Sequence, residues 1–216
     1  MYLSRIELDT KRRTTMIALA SPNIIHGAIE ASFPGVRRRK LWRIDKLGER
    51  TYVLLLSDEE PQLAQMAKQF GVTNNEKLWE TKDYSNLLSR IKNNSEWHFR
   101  LTANPTRSCR IENGKRGVVH AHITPYYQKK WLMERSVKLG FSLEEDKFSV
   151  IEKRWQRFYK GDMRKNPVTL LAVTYEGVLK VLDSDKFCKI LLEGIGRGKA
   201  FGMGLMTVVK AGDRCV

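Results

Sequence analysis

Hydrophobic and polar side chains alternate over residues 2–9, which is the pattern of a β-strand with one buried face. Ser21 and Pro22 follow as a helix start, because serine is a good N-cap and proline suits the first helical position. Ile25 and Ile29 lie one turn apart and begin an apolar stripe. The pattern predicts a strand followed by a short amphipathic helix.

Two strands, a helix and a last strand complete this first unit. Residues 41–45 and 51–56 form the arms of a predicted hairpin, and Gly71 ends a helix predicted at 61–70. A strand predicted at 78–81 closes the set. The order strand, helix, strand, strand, helix, strand is the ferredoxin-like (RRM-like) arrangement, in which helices cover one face of a sheet.

A second cycle of the same kind follows a linking helix predicted at 85–92. It contains strands, helices and one extra hairpin, over residues 97–103, 109–122, 127–139, 148–158, 168–182, 184–193 and 205–210. The hydrophobic pattern therefore predicts an α+β protein of two tandem ferredoxin-like (RRM-like) domains. We expect the N-terminal domain to span 1–84 and the C-terminal domain to span 95–216.

The chain is strongly basic, with 39 Lys and Arg against 24 Asp and Glu and a formal charge of +15. Such an excess favours a polyanionic partner, and nucleic acid is the first candidate. A membrane is the other large polyanion, but the sequence has no run of eighteen apolar residues, and residues 2–9 alternate instead of forming a signal-peptide core. We therefore expect a cytoplasmic protein with no membrane partner.

The spacing of cysteines and histidines does not indicate a metal or cofactor site. The three cysteines are odd in number and include no CxxC pair, so neither a disulfide framework nor a zinc site is predicted. His120 and His122 share one face of a strand, but no nearby cysteine or carboxylate completes a ligand set. His98 is interpreted as a sheet residue or as one that stacks on a base. We expect no metal and no cofactor.

Residues 194–204, here called the glycine loop, contain five glycines: Gly194, Gly196, Gly198, Gly202 and Gly204. Glycine lets backbone amides approach a phosphate closely, and Arg197 and Lys199 add charge, which favours contact with an RNA backbone. Capping of the preceding helix explains Gly194 and leaves four glycines. Dinucleotide and Walker loops are excluded, because the segment follows a helix and Ala200 stands where a Walker loop needs Ser or Thr.

His26 lies on the first predicted helix, on the polar face that also carries Asn23 and Glu30. An unperturbed imidazole has a pKa of about 6.5, which suits proton transfer near neutral pH. The plainer interpretation is an incidental surface histidine. We favour a catalytic role, because the chain is very basic and offers no evident metal site.

Two basic clusters are candidate RNA contacts. They comprise Arg37, Arg38, Arg39 and Lys40 in the first domain, and Arg154, Arg157, Lys160, Arg164 and Lys165 in the second. The second cluster is interleaved with Trp155, Phe158 and Tyr159, and Gly161 indicates a loop between two strands. Solvated surface charge is the plain alternative, but a basic loop of this kind has the shape needed to follow an RNA stem.

Short sequence motifs along nearly the whole chain, called words below, resemble those of the CasE family in their order. This family comprises the repeat-processing endoribonucleases of type I-E CRISPR systems and belongs to the repeat-associated RNA-binding (RAMP) superfamily. The words are Met1-Tyr-Leu-Ser-Arg5, the His26 helix ending at Phe33-Pro34, Leu41-Trp42-Arg43, Phe99-Arg-Leu-Thr-Ala-Asn-Pro105, Trp131-Leu132, Gly140-Phe141, Tyr175-Glu-Gly-Val-Leu179 and the glycine loop. Single words are weakly specific, and their shared order is what identifies the family.

The resemblance implies two ferredoxin-like domains, RNA bound across their shared basic face, and a catalytic histidine at His26. It also implies that the cut CRISPR RNA stays bound by its hairpin and that the enzyme becomes a subunit of the Cascade complex. Some relatives carry a tyrosine three residues before the histidine. Asn23 occupies that position here and has no proton to give, so the second proton-transfer group stays open.

Such an enzyme would cut without metal, by attack of the RNA 2′-OH on the adjacent phosphorus, and would leave a 2′,3′-cyclic phosphate and a 5′-OH. His26 would move a proton as acid or as base, and Lys199 or a residue of the Arg37 to Lys40 run would stabilise the developing charge. The alternative is a non-catalytic RRM-like RNA-binding module. Residues 197–201 resemble its RNP1 strand, although Lys199 stands where RNP1 has an aromatic residue.

Overall fold

The computed structural model describes residues 1–35, 38–73, 77–109, 118–159 and 167–212. The elements of the first part are β1 (Tyr2–Leu8), α1 (Arg13–Ala20), α2 (Pro22–Ala31), β2 (Leu41–Leu47), β3 (Arg50–Ser57), α3 (Ala64–Phe70) and β4 (Glu80–Asp83). Its four strands form an antiparallel sheet in the order β2-β3-β1-β4, here called the N-terminal sheet. This is the ferredoxin-like topology.

The second part repeats the arrangement after the short helix α4 (Ser85–Leu88). Its elements are β5 (Glu96–Ala103), β6 (Thr106–Cys109), β7 (Val118–Ala121), α5 (Pro125–Ser136), β8 (Phe141–Ser142), β9 (Phe148–Tyr159), β10 (Pro167–Val181), α6 (Ser184–Glu193) and β11 (Met206–Lys210). The C-terminal sheet runs β11-β5-β10-β9, with β8 beside the end of β10. The hairpin of β6 and β7 is inserted between β5 and α5.

Each sheet buries one face beneath its own helices. Ile6 and Val53 pack with Ile25 and Ile29 of α2, whereas Phe99 and Tyr175 belong to a second core. The residues that α5 and α6 contribute to that second core include Trp131, Leu132, Phe187 and Leu191. The prediction of an α+β fold with two tandem ferredoxin-like domains is therefore confirmed. The boundaries 1–84 and 95–216 stay a prediction.

The structure differs from the predicted elements in a few places. Helix α1 was not predicted, because Arg12 at its N-cap makes no side-chain cap and two β-branched threonines follow Arg13 in its first turn. Tertiary contacts stabilise it instead: the Thr15 hydroxyl donates to the Phe70 carbonyl, and Ala18 is fully buried. The linking helix predicted at 85–92 is shorter in the structure, where it is α4 and ends at Leu88. The predicted turn at Asn113 and Gly114 lies outside the described residues.

A buried arginine joins the two sheets. Arg43 on β2 makes a two-pronged ion pair with Asp45, with both N–O distances 2.7 Å. It also donates to the carbonyl oxygens of Arg100 and Leu205 at 2.7 and 2.9 Å, and to the Thr207 hydroxyl at 2.8 Å. We call these five residues the Arg43 junction. It fixes β2 of the N-terminal sheet against β5 and β11 of the C-terminal sheet.

Candidate active site

Helix α2 presents His26 next to a carboxylate. Ile25 and Ile29 are buried in the N-terminal core, so the adjacent face of the helix turns outward. On that face the Nδ1 atom of His26 lies 3.9 Å from Oε1 of Glu30, within ion-pairing range but longer than a hydrogen bond. The two side chains are 23% and 25% exposed. His26 is therefore held in a half-buried position that a ligand can reach.

Lys40 completes what we call the His26 cluster, formed by His26, Glu30 and Lys40. Its ammonium lies 3.2 Å from Oε2 of Glu30 and 4.6 Å from the centre of the Phe33 ring. The Lys40 side chain is only 5% exposed, and its Nζ also donates to the Arg38 carbonyl. Lys40 was predicted to contact RNA. These contacts suit it better to holding Glu30 than to meeting a phosphate directly.

Asn23 lies one turn before His26 on α2. Its Oδ1 atom is buried and has no hydrogen-bond partner among the described residues. Asn23 stays close to the candidate site, but an amide is not a proton-transfer group at neutral pH. Asn23 therefore does not supply the proton that a tyrosine at this position could.

Lys199 is brought to the same region by the glycine loop. Residues Lys199–Phe201 form a short 3₁₀ turn that packs against α2 and β2. Burial lowers the pKa of Lys199, and the nearby charge of Arg39 lowers it further, while Glu193 acts in the opposite direction. His26 and Lys199 thus come from two distant parts of the sequence, and the 3₁₀ turn that carries Lys199 packs against the helix that carries His26.

The backbone conformation and packing of the loop themselves require glycine at several positions. All five adopt positive φ: Gly194, Gly196, Gly198, Gly202 and Gly204. A Cβ on Gly202 would lie 2.8 Å from the Trp42 ring, and one on Gly204 would lie 2.9 Å from the Ile195 carbonyl oxygen. Both glycines are buried, so the close approach expected of a phosphate is made here by the protein itself. Gly196 and Arg197 are exposed and stay available to a ligand.

The predicted basic clusters are only partly gathered around α2. Arg38 and Arg39 are exposed, and Arg38 lies 3.4 Å from Glu59. Arg154 faces a cleft that it shares with Pro22 and Ile25. Arg157 lies an odd number of residues further along β9 and therefore points to the opposite face of the sheet. Four predicted contacts lie outside the described residues: Arg37, Lys160, Arg164 and Lys165.

An aromatic contact connects β9 to the glycine loop. The rings of Phe158 and Phe201 have centroids 4.8 Å apart, and Phe158 is buried. This contact places the Arg154 face of β9 beside the 3₁₀ turn that carries Lys199. The cleft is therefore bordered by α2, β9 and the glycine loop, and its charged lining residues are Arg154 and Glu152 of β9.

The Glu30–Lys40 pair was missed by the sequence interpretation. The spacing of four between His26 and Glu30 on one helix was an available signal for this contact. No sequence signal pointed to Lys40 as its partner, because Lys40 reaches Glu30 from beyond the end of α2. The described ranges contain no group of three or more His, Cys, Asp or Glu placed to hold a metal ion. They also contain no helix long and apolar enough to cross a membrane.

Known proteins resemble this chain over nearly its full length. A sequence profile for the family described as "CRISPR associated protein" matches residues 1–210. The CRISPR-associated endoribonuclease Cse3 of Thermus thermophilus is 27% identical over 221 residues, which is 96% of this chain and 99% of the relative. A structure of CRISPR endoribonuclease Cse3 bound to a 19-nucleotide RNA is 25% identical, with a TM-score of 0.78 and coverage of 97% and 100%.

A more distant match shows the fold alone. One chain of a CRISPR RNA-guided surveillance complex is 17% identical, with a TM-score of 0.66 and coverage of 98% of this chain and 100% of that chain. All three matched chains correspond to this one from end to end. Because the family profile spans residues 1–210, the chain belongs to this family of CRISPR-associated proteins.

Proposed function

We propose that this chain is a cytoplasmic, metal-independent endoribonuclease that cuts CRISPR precursor RNA at the base of the repeat hairpin. The observation that carries the proposal is that the 3₁₀ turn with Lys199 packs against α2, the helix that holds His26 beside Glu30 and Lys40. The full-length relative named as a CRISPR-associated endoribonuclease supports the activity. The RNA-bound structure of the similar Cse3 supports the substrate class.

In the proposed chemistry the RNA's own 2′-OH is the nucleophile. The 2′-oxygen attacks the adjacent phosphorus, and the bond from phosphorus to the 5′-oxygen of the next nucleotide breaks. A proton leaves the 2′-OH and another reaches the departing 5′-oxygen, which gives a 2′,3′-cyclic phosphate and a 5′-OH. His26 moves one of these protons, which is worth about 10²- to 10⁴-fold in rate. Lys199 offsets the charge that develops on the phosphorane.

Glu30 and Lys40 support His26 in this proposal. A carboxylate next to Nδ1 orients the ring and stabilises the imidazolium that forms when the other nitrogen takes a proton. Lys40 keeps Glu30 in place, because its ammonium lies 3.2 Å from the second carboxylate oxygen. Both act through His26 and are therefore positioning residues.

We further propose that the cut RNA stays bound and that the chain joins a Cascade complex. The exposed arginines Arg38, Arg39, Arg154 and Arg197 would hold the RNA backbone, together with the predicted contacts outside the described residues. Gly196 and Gly198 would let the backbone approach the loop. A chain of a surveillance complex shares this fold, and the assembly itself is proposed from the resemblance to the CasE family.

The alternative, a non-catalytic RRM-like module, loses its main support. RNP1 residues stack bases from a strand in the centre of a sheet. In this protein Lys199–Phe201 form a 3₁₀ turn, and the adjoining strand β11 begins only at Met206. Phe201 packs against Phe158 and is not presented on a sheet surface.

Single-turnover cleavage of a repeat hairpin by the His26→Ala variant tests the proposal. We expect the rate to fall by at least about 100-fold while the affinity for RNA changes little, because one imidazole adds little to phosphate attraction compared with the arginine clusters. His98→Ala removes an exposed histidine on β5 and should leave the rate unchanged. A parallel loss of binding and cleavage in His26→Ala would make His26 an RNA contact and remove its catalytic assignment.

The internal 2′-OH mechanism has its own test. Cleavage should proceed in EDTA and should stop when one 2′-deoxynucleotide replaces the ribose at the cut. Product ends should be a cyclic phosphate and a 5′-OH. Cleavage that requires magnesium, or that continues on the deoxy substrate, would show that the mechanism is wrong.

A further inference from the structure

A groove on the far side of the glycine loop from α2 plays no part in the mechanism above. It lies between β6, α5 and the loop, and we call it the arginine groove. Three guanidinium groups line it, from Arg107, Arg135 and Arg197, together with one carboxylate, Glu134. A backbone bridge between Asn104 and Arg197 fixes the loop against the end of β5. The balance of charge in the lining favours an anion.

Arg135 is held in place before any ligand arrives. Arg135 lies 4.5 Å from the centre of the Trp131 ring and donates to the Trp131 carbonyl at 2.8 Å. Arg107 is exposed on the inserted hairpin. Burial lowers the pKa of His122, and the charges of Arg107 and Arg135 lower it further. His122 is therefore neutral near pH 7, and the groove keeps its cations close together without a matching set of carboxylates.

Asn104 adds a requirement that a simple anion does not meet. It is 4% exposed, and its Oδ1 has no hydrogen-bond partner in the part of the chain that the structure describes. A buried acceptor without a partner is costly, and a phosphate oxygen cannot satisfy it. A nucleobase N–H or a ribose 2′-OH can. A ligand that carries an anionic group and a hydrogen-bond donor on one molecule would therefore match both features of the groove.

Beside the groove, three aromatic rings are assembled at the protein surface. His122 and Tyr127 are stacked, with centroids 5.9 Å apart and planes 22° from parallel, and Tyr126 meets Tyr127 edge-on at 5.2 Å. Tyr126 is 62% exposed and Tyr127 is 52% exposed. Aromatic faces left in water next to a cationic groove are the arrangement that single-stranded RNA requires for base stacking.

We propose that the arginine groove binds one unpaired ribonucleotide, with its phosphate among Arg107, Arg135 and Arg197 and its base stacked on Tyr126 or Tyr127. The inference rests on the proposed function for the presence of RNA, and adds a contact with a single-stranded part of it. The exposed tyrosines alone would also suit a protein partner. The three arginines and the unsatisfied Asn104 acceptor favour RNA.

The probe is a short fluorescent oligouridylate, compared with an abasic oligoribonucleotide of the same length. The Tyr126→Ala/Tyr127→Ala variant should bind the oligouridylate at least about fivefold more weakly than wild type and should bind the abasic chain equally well. Arg107→Ala should weaken the binding of both probes. Lys180→Ala removes an exposed charge at the opposite end of the same sheet and should have a clearly smaller effect on both probes.

Unchanged oligouridylate binding in the double tyrosine variant would overturn the proposal and leave the aromatic patch to a protein partner. So would equal effects of Arg107→Ala and Lys180→Ala, because the groove would then hold no phosphate. Hairpin cleavage is measured separately on the same preparations. Normal cleavage without tyrosine-dependent binding would reject this inference alone. Tyrosine-dependent binding by a wild-type protein that does not cut would support it and reject the proposed function.

Discussion

The Arg43 junction and the His26 cluster are both built around one carboxylate that faces cationic or ionisable groups, yet only the first is closed to solvent. In the junction Arg43 is 1% exposed and its N–H groups reach Asp45, two carbonyls and a hydroxyl. In the cluster His26 keeps about a quarter of its side chain exposed and meets Glu30 at 3.9 Å. The two clusters differ in how much of the ionisable side chain stays exposed to a ligand.

A closed cluster and a half-open one have different uses. Buried charges must be matched completely, because an unpaired charge in a dry interior is very unfavourable, and the reward is one fixed geometry. A half-open cluster has a less rigid geometry, but it keeps the imidazole ring accessible to a substrate. Basic residues therefore join the two domains at one place and serve chemistry at another, and net charge alone does not distinguish the two.

The largest expected effect is the loss of the junction. Arg43→Met leaves the Asp45 carboxylate buried without its main partner, so the free energy of unfolding should fall by about 3–5 kcal/mol. Urea unfolding followed by circular dichroism measures it. Arg50→Met on the neighbouring strand is the matched control, because Arg50 is exposed and lies 3.7 Å from Glu7. Equal stability of the two variants would show that the junction does not hold the domains together.

The second effect concerns the glycine loop where it touches Trp42, the residue before Arg43. Gly202→Ala introduces a Cβ 2.8 Å from the Trp42 ring and should destabilise the fold by about 1–3 kcal/mol. Gly48→Ala is the control, because Gly48 also has positive φ but nothing lies within 4 Å of its added Cβ. Thermal melts of both variants separate the clash from the backbone strain. Equal losses of stability in the two variants would show that backbone strain alone, and not the clash with Trp42, destabilises Gly202→Ala.

A smaller effect is expected inside the half-open cluster. Glu30→Gln keeps the shape but removes the charge next to His26, so the single-turnover cleavage rate should fall by about tenfold with RNA affinity unchanged. The pH profile should change shape as well, which a purely structural residue would not cause. Glu59→Gln, at the surface pair with Arg38, should leave rate and profile unchanged. An unaltered pH profile for Glu30→Gln would rule out its support of His26.

The smallest effect is a shift in the alkaline part of that profile. Because the pKa of Lys199 is lowered, its ammonium loses a proton at a lower pH than an ordinary lysine. Cleavage should therefore decline on the alkaline side, at a lower pH than the one at which an ordinary lysine loses its proton. Lys199→Arg should remove the decline, and Arg39→Gln should move it to higher pH, since Arg39 lowers this pKa. If neither substitution alters the alkaline decline in cleavage, the decline reports the titration of a group other than Lys199.

Elements with clear local signals were predicted well, and those held by distant contacts were not. Helix α6 spans Ser184–Glu193 as expected, because Asp183 caps its start and Gly194 ends it. Helix α1 lacks such signals and depends on Phe70 and the core. In the site, His26 could be proposed from residue type and family resemblance. The role of Arg43 could not, because its partners Arg100 and Leu205 are 57 and 162 positions away.

The sequence separation between Arg43 and its partners determines when those partners become available during synthesis of the chain. When the ribosome has made only the N-terminal sheet, the Leu205 carbonyl and the Thr207 hydroxyl that Arg43 needs do not yet exist. Domains emerge and fold from the N-terminus, at about 5–20 residues per second. The domain that carries His26 thus waits several seconds with an incompletely matched arginine, and it gains its final partners only when β11, the last described strand, joins the sheet.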